Sequence, residues 1–306
     1  MNYTEKYGHR ISALTLGTVQ LGLAYGVNND KGMPSYGESA AILDRALELG
    51  ITSFDTARAY GESEEVLGRY FKDKKSEVTL ISKAAIYDAP KSEIRQRMLD
   101  SVHTSLEKLG IEKLPFLKLH NESMLITYGD KVINVLQDLK KEGLVSGIGV
   151  SFSDKSRLRE LTDGVGFDCI QLPANIFDNE VIVDGTIKRL YDGGSAVFVR
   201  SVYLQGLFFK DTSTLPDKLR VAKEPLDRLH KLAKEAQISM AELAITFIRD
   251  TEGIASLVMG CDNPEQLSQS VSLIDSPKIA KDVRDEAMKI AQSVPEIVIR
   301  PWEWNK

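Results

Sequence analysis

The chain has 306 residues, a mass of 34.0 kDa, 42% hydrophobic and 27% charged residues, and a formal charge of −5. This ordinary globular composition excludes a disordered chain and a collagen-like fibre, and two cysteines, Cys169 and Cys261, are too few for a disulfide scaffold. The acidic balance, with a pI of about 5.6, opposes the basic face that nucleic acid requires, and no run approaches the ~18 apolar residues of a membrane helix.

In chain order, short β-rich runs alternate with helix-periodic segments. Leu14–Leu21 is the first run. Ser35 opens a helix that runs to Leu49 and stops at Gly50, and Ser53–Ala57 is the second strand. Val78–Lys83 is the third. Asp88 and Pro90 open a helix ending near Leu109, closed by Gly110, and Phe116–His120 follows. Gly143 precedes Ser146–Ser151, Gly164 and Gly166 precede Asp168–Pro173, and Gly193 and Gly194 precede Ala196–Val202. Leu207–Pro225 breaks the rhythm as a long loop beginning with Phe208 and Phe209, both expected to be exposed. A lid and a tolerated insertion fit it equally. Ser239-Met240-Ala241-Glu242 matches a capping box, and Gly253 leads into the last strand, Ser256–Gly260.

Eight strands alternating with helices predict βαβ units closed into a single (β/α)8 barrel over 1–306. An open doubly wound sheet would carry a glycine-rich turn after its first strand. Leu21-Gly22-Leu23-Ala24-Tyr25-Gly26 is not G-x-G-x-x-G.

In such a barrel, chemistry gathers where strands end. Asp55, Lys83 and His120 terminate three adjacent strands, and Tyr60 follows in the loop after Asp55. Each has a bland reading alone: a turn aspartate, a hydrogen-bonded core histidine, a packed tyrosine. Lys83 is harder to dismiss, because a buried ammonium needs a partner, and Asp55 is the neighbour that supplies one. An ammonium beside a tyrosine lowers the phenol from its usual pKa of about 10 and makes it a usable proton donor and acceptor. A histidine alongside can hold a carbonyl oxygen. That set suits carbonyl reduction when a cofactor supplies hydride.

Longer segments extend the pattern. They are Leu16–Gly22, Phe54–Glu64 (with Asp-Thr-Ala-x-x-Tyr-Gly-x-Ser-Glu), Ile81-Ser82-Lys83, Leu119-His120, Gly147–Ser151, Gln171–Asn175 and Gly260–Leu267. In this order and over nearly the whole chain, the sequence resembles the aldo-keto reductases. The resemblance implies a (β/α)8 barrel that binds a nicotinamide cofactor without a Rossmann turn. It implies that Tyr60 is the general acid in reduction, that Lys83 lowers its pKa, that Asp55 holds Lys83 and that His120 orients the substrate carbonyl. Ser151 and Gln171 would bind the nicotinamide carboxamide, and Ser201, Leu204 and Gly206 would lie along the pyrophosphate. Asn263, Gln266 and Ser270 would lie near the adenosine end, with Gly17, Thr18, Asp55, Arg200 and Gly260 also in the cofactor cleft.

Three positions depart from the family pattern. Phe152 stands where an asparagine often binds the carboxamide. Arg200 stands where an aromatic often stacks on the nicotinamide, a role a guanidinium can also fill. Asp262 lies where many members have a basic residue for the 2′-phosphate of NADP(H), so the family expectation of NADP(H) stands beside NAD(H). His9, His103, His120 and His230 are scattered, so no metal site is expected. Cys261 reads as a small packed residue, and the tail residues Trp302 and Trp304 as a packed terminus or a pocket wall. With few cysteines and no apolar leader, the expectation is a cytoplasmic, NAD(P)(H)-dependent reductase of an aldehyde or ketone, a sugar-like carbonyl among them. Its partner is a small carbonyl substrate, with neither nucleic acid nor membrane, and no motif sets an oligomeric state. The alternative readings are a cofactor-binding regulatory subunit of the same fold, such as the family's potassium-channel β-subunits, and a sugar-binding barrel without redox chemistry.

Overall fold

The computed structural model describes residues 1–25, 32–74 and 77–304; Gly26 of the Leu21–Gly26 segment lies outside them. Strands β1 (Tyr3–Lys6) and β2 (His9–Ser12) pair antiparallel around Tyr7 and Gly8, both at positive φ, as a tight hairpin requires. This hairpin has no counterpart among the expected elements, because four-residue, largely polar strands show no clear alternation. Eight parallel strands follow: β3 (Leu14–Gly17), β4 (Ser53–Asp55), β5 (Thr79–Ala84), β6 (Leu114–Leu119), β7 (Val145–Ser151), β8 (Cys169–Pro173), β9 (Ala196–Arg200) and β10 (Ile254–Met259). Each pairs with the next, and β10 closes onto β3. The expected (β/α)8 barrel is therefore present.

Helices α1 (Val19–Gly22), α2 (Tyr36–Glu48), α3 (Ser63–Phe71), α4 (Ile94–Leu109), α5 (Ser123–Tyr128) and α6 (Asp130–Lys141) occupy the first half. Helices α7 (Leu158–Thr162), α8 (Glu180–Val183), α9 (Thr186–Asp192), α10 (Lys223–Glu235), α11 (Met240–Arg249), α12 (Pro264–Ile274) and α13 (Lys281–Ala291) complete the chain. Their apolar faces and the outer face of the barrel form one continuous core. No described helix is long and apolar enough to cross a membrane.

Several boundaries differ from expectation. The first barrel strand ends at Gly17, not Leu21, because residues 19–22 turn into α1, where Gly22 packs against the backbone of Tyr60 and Ser63. The helix expected to open at Asp88 and Pro90 starts at Ile94, and Asp88 takes a left-handed φ of 59°. Ser35 forms a full capping box with Glu38. Ser239 makes half of one, accepting from the Glu242 amide. Phe208 is buried, edge-on to Phe177 at 5.1 Å, because the 207–225 segment folds into short 3-10 turns; only Phe209 of the pair is exposed.

Strand alternation gives the barrel two different inner layers. Ile81, Phe116, Cys169, Ala196 and Phe198 form an apolar cluster joined by Ile11 from the hairpin. One pleat further toward the strand ends, the inward positions become Lys83, Lys118, Gln171 and Arg200. Strand β7 makes room for this filling with Gly147 and Gly149. A Cβ on Gly149 would overlap the Cys169 carbonyl and lie 2.5 Å from its Sγ, and one on Gly147 would lie 2.6 Å from the Phe116 ring. Gly149→Ala should lower stability by about 1–3 kcal/mol, read as a lower urea midpoint with an unchanged slope.

Candidate active site

The strand ends converge on one mouth. Asp55 ends β4, Lys83 lies on β5, and His120 follows β6 with its amide bonded to the Ala84 carbonyl at 2.9 Å. Tyr60 sits in the β4–α3 loop, which buried hydroxyls hold in shape. Ser63 Oγ lies 2.8 Å from Thr18 Oγ1 and 2.9 Å from Thr56 Oγ1. In the same loop Arg58 pairs with Glu64 at 2.6 Å, and Glu64 accepts from Ser82 at 2.6 Å.

Lys83 donates to Asp55, to the Thr56 carbonyl at 2.9 Å and to the Tyr60 hydroxyl at 3.4 Å. The Tyr60 and His120 rings meet edge-on at 5.8 Å. Thus the structure brings together all four residues singled out in the sequence. It adds a fifth, Lys118, whose ammonium is fully buried and lies 2.6 Å from Asp55 Oδ1 and 2.6 Å from Gln171 Oε1. Its signal was its place in the strand. Two residues before His120, it had to share the inward face.

Burial raises the Asp55 carboxyl, but the Lys118 and Lys83 charges outweigh burial and bring it down to about 2. Burial lowers both lysines, and Asp55 opposes that shift. The expectation that Lys83 depresses the Tyr60 phenol is corrected. Burial, then the Asp55 charge, push the phenol up to about 12, while the Lys118 and Arg200 charges pull it down. Lys83 is engaged with Asp55 and meets the phenol oxygen as a hydrogen-bond donor. Burial, followed by the Lys83 charge, lowers His120 to about 4, so its imidazole is neutral near pH 7.

A cavity of about 300 Å³ opens beside these groups, lined by Tyr60 and, among the expected cofactor residues, by Gly17, Thr18, Asp55, Gln171, Arg200, Ser201, Gly206 and Gly260. Leu204 is buried and faces a neighbouring cavity that also touches Trp302, and Ser151 is buried beside Gln171 in register. Neither lines the main cavity. Asn263, Gln266 and Ser270 also lie outside its wall. Asn263 caps α12 by accepting from the Gln266 amide at 2.9 Å, Gln266 accepts from the Asp262 amide at 2.9 Å, and Ser270 donates to the Gln266 carbonyl at 3.0 Å. Gln20 in α1 and Tyr203 and Gln205 in the loop after β9 line the cavity without having been singled out as cofactor contacts; in that loop only Ser201, Leu204 and Gly206 were marked.

The cavity wall has the features of a ligand cradle. Among the described residues, Gln20 Oε1 is buried without a partner, and so is His120 Nδ1. A Cβ on Gly260 would strike the Gln20 amide at 2.5 Å, so glycine keeps the wall open there. Ser201, Leu204 and Gln205 all hold positive φ, which non-glycine residues adopt at a cost of order 1–3 kcal/mol each. The Arg200 guanidinium lies at the edge, donating to the Phe152 carbonyl at 2.9 Å and to the Ser153 and Ser201 hydroxyls at 3.2 Å. Phe152 itself is buried in the core, so its side chain makes no polar contact here. Among the described residues, no cluster of His, Cys, Asp and Glu could hold a metal ion. Trp304 is packed, donating to the Ile297 carbonyl at 3.0 Å, while Trp302 is exposed.

The sequence model described as the Aldo/keto reductase family matches residues 13–290. An L-glyceraldehyde 3-phosphate reductase of Escherichia coli O157:H7 is 23% identical, covering 98% of this chain and 94% of its own. An NADH-specific methylglyoxal reductase of Escherichia coli (strain K12) is 25% identical, covering 87% of this chain and 90% of its own. The solved structure of the aldo-keto reductase AKR11C1 from Bacillus halodurans, in its holo form, superposes with a TM-score of 0.77 at 20% identity, over 98% of this chain and 99% of that one.

Proposed function

The chain belongs to the aldo/keto reductase family and so is an NAD(P)-dependent oxidoreductase; from that premise we propose that it reduces an aldehyde or ketone with Tyr60 as proton donor. The observation that carries this reading is the position of Tyr60. Its hydroxyl is 3.4 Å from Lys83 Nζ, its ring lies edge-on to His120, and it lines the same cavity as Gly17, Gln171 and Gly260.

A nicotinamide cofactor, when bound, supplies the hydride for such a reduction. Gln171, with Ser151 behind it, would hold the carboxamide end, Arg200 would offer its flat face to the ring, and the turn at Ser201–Gly206 would meet the pyrophosphate. The amide-rich N-terminus of α12 suits the adenosine end. The unpartnered Gln20 Oε1 and the open wall at Gly260 support this placement.

The remaining chemistry belongs to the chain's own residues. Neutral His120 donates a hydrogen bond to the substrate oxygen without competing as an acid. The Tyr60 phenol, held near 12, is protonated at neutral pH and gives its proton to the oxygen as negative charge develops there. The phenolate left behind accepts from Lys83 and lies in the field of Lys118 and Arg200.

Residues 260–270 contain no lysine or arginine, and Asp262 is exposed at the start of α12. A carboxylate there repels a 2′-phosphate, so the preferred cofactor is NADH over NADPH. The test follows cofactor absorbance with a reactive nitrobenzaldehyde, NADH and NADPH in parallel. Consumption faster with NADH is expected. Tight cofactor binding with no turnover would instead favour a regulatory subunit, and no binding of either cofactor would remove the redox reading.

A further inference from the structure

The barrel mouth buries more charge than the proposed reduction uses. Lys83 and Lys118 are register partners on β5 and β6, two ammonium groups side by side on the inner wall. Like charges so placed repel, and burying each one costs free energy. Asp55 alone would suffice to hold Lys83. The second lysine therefore calls for a separate explanation.

An ammonium has three donors and no acceptor. The Gln171 atom 2.6 Å from Lys118 Nζ must then be its carbonyl oxygen. This fixes the amide, whose two ends are otherwise nearly the same in size and shape. Its Nε2 is left with one long contact among the described residues, to Asp55 Oδ2 at 3.4 Å, while Gln171 lines the cavity. The Phe198 ring lies 4.9 Å from Lys118 Nζ and closes the space behind it, so the ammonium is directed at Asp55 and Gln171.

We propose that Lys118 is a positioning residue: it locks the Gln171 amide with oxygen inward, so that the pocket presents an N–H donor to the carboxamide of a nicotinamide cofactor. This rests on the reading that Gln171 contacts that cofactor. Lys118 acts only through Gln171, and two consequences separate this role from simple packing. Cofactor affinity depends on Lys118 only while Gln171 is present, and the Gln171 side-chain NH2 itself senses the cofactor.

The experiment is a double-mutant cycle on the dissociation constant of NADH, read by quenching of the tryptophan fluorescence, with parent, Lys118→Met, Gln171→Ala and the double variant. Methionine fills the same length without charge, and Asp55 keeps Lys83 as partner. Lys118→Met is expected to weaken NADH about fivefold in the parent and to have no further effect in Gln171→Ala. Equal weakening in both backgrounds, or none in the parent, overturns the proposal. Should Lys118→Met fail to fold, the parent protein still decides. Its Gln171 NH2 resonance, assigned by its loss in Gln171→Ala, is expected to shift when NADH is added, and an unmoved resonance overturns the proposal. A parent that binds neither NADH nor NADPH overturns the functional reading itself, which is visible before any Lys118 variant is made.

Discussion

Tyr60→Phe is expected to lower kcat for carbonyl reduction by about 10²–10⁴-fold while leaving cofactor affinity and the thermal midpoint unchanged. The substitution removes one oxygen. Lys83 keeps Asp55 and the Thr56 carbonyl as acceptors, so no buried ammonium is stranded. The ring remains to meet His120 at the same edge. What is lost, in the proposed mechanism, is the proton given to the substrate oxygen as charge develops there. In the unmodified protein the phenol stays protonated below about 12 and His120 stays neutral above about 4. Neither group therefore limits reduction over roughly pH 6–10. A variant with undiminished kcat, by cofactor absorbance, would remove Tyr60 from the chemistry.

The second large effect is on stability. Asp55→Asn should cost about 3–5 kcal/mol in urea unfolding at neutral pH. Asp55 is the shared partner of two fully buried ammonium groups, and an amide in its place leaves both uncompensated. The sign with pH follows from its depressed pKa. The carboxylate contributes its full stability above the unfolded value of about 3.8 and loses it as pH falls through about 2. The gap between parent and variant should therefore close in acid. It should also narrow in base, because burial already lowers both lysines and they discharge more readily without Asp55. A gap independent of pH would mean that the cost is one of packing.

The barrel was legible because glycine punctuates it. Of the glycines read as helix stops, all but Gly193 hold positive φ, the backbone state that made them readable. The site was legible for a related reason: Asp55, Lys83 and His120 interrupt apolar strands where a charge must have a purpose. Lys118 obeys the same rule but was passed over, because its meaning depends on facing Asp55 and Gln171 across the barrel, which no single strand reveals. The Tyr60 pKa was misjudged for a similar reason. Proximity to a lysine was readable, but the depth of burial and the claim of Asp55 on that lysine were not. Phe208 went astray because irregular turns bury residues without a period.

At the far end of the barrel the hairpin sends Ile11 into the inner apolar layer. There it joins Ile81, Phe116 and Phe198, all buried, as an apolar floor beneath the charged layer of Lys83 and Lys118. With such a floor, a ligand covering the mouth would also shut off the proton supply. In the proposed mechanism Tyr60 would then be a single-shot acid, spending one proton per visit and recharged when the mouth is open again. Recharging and release would thereby be tied to the same event.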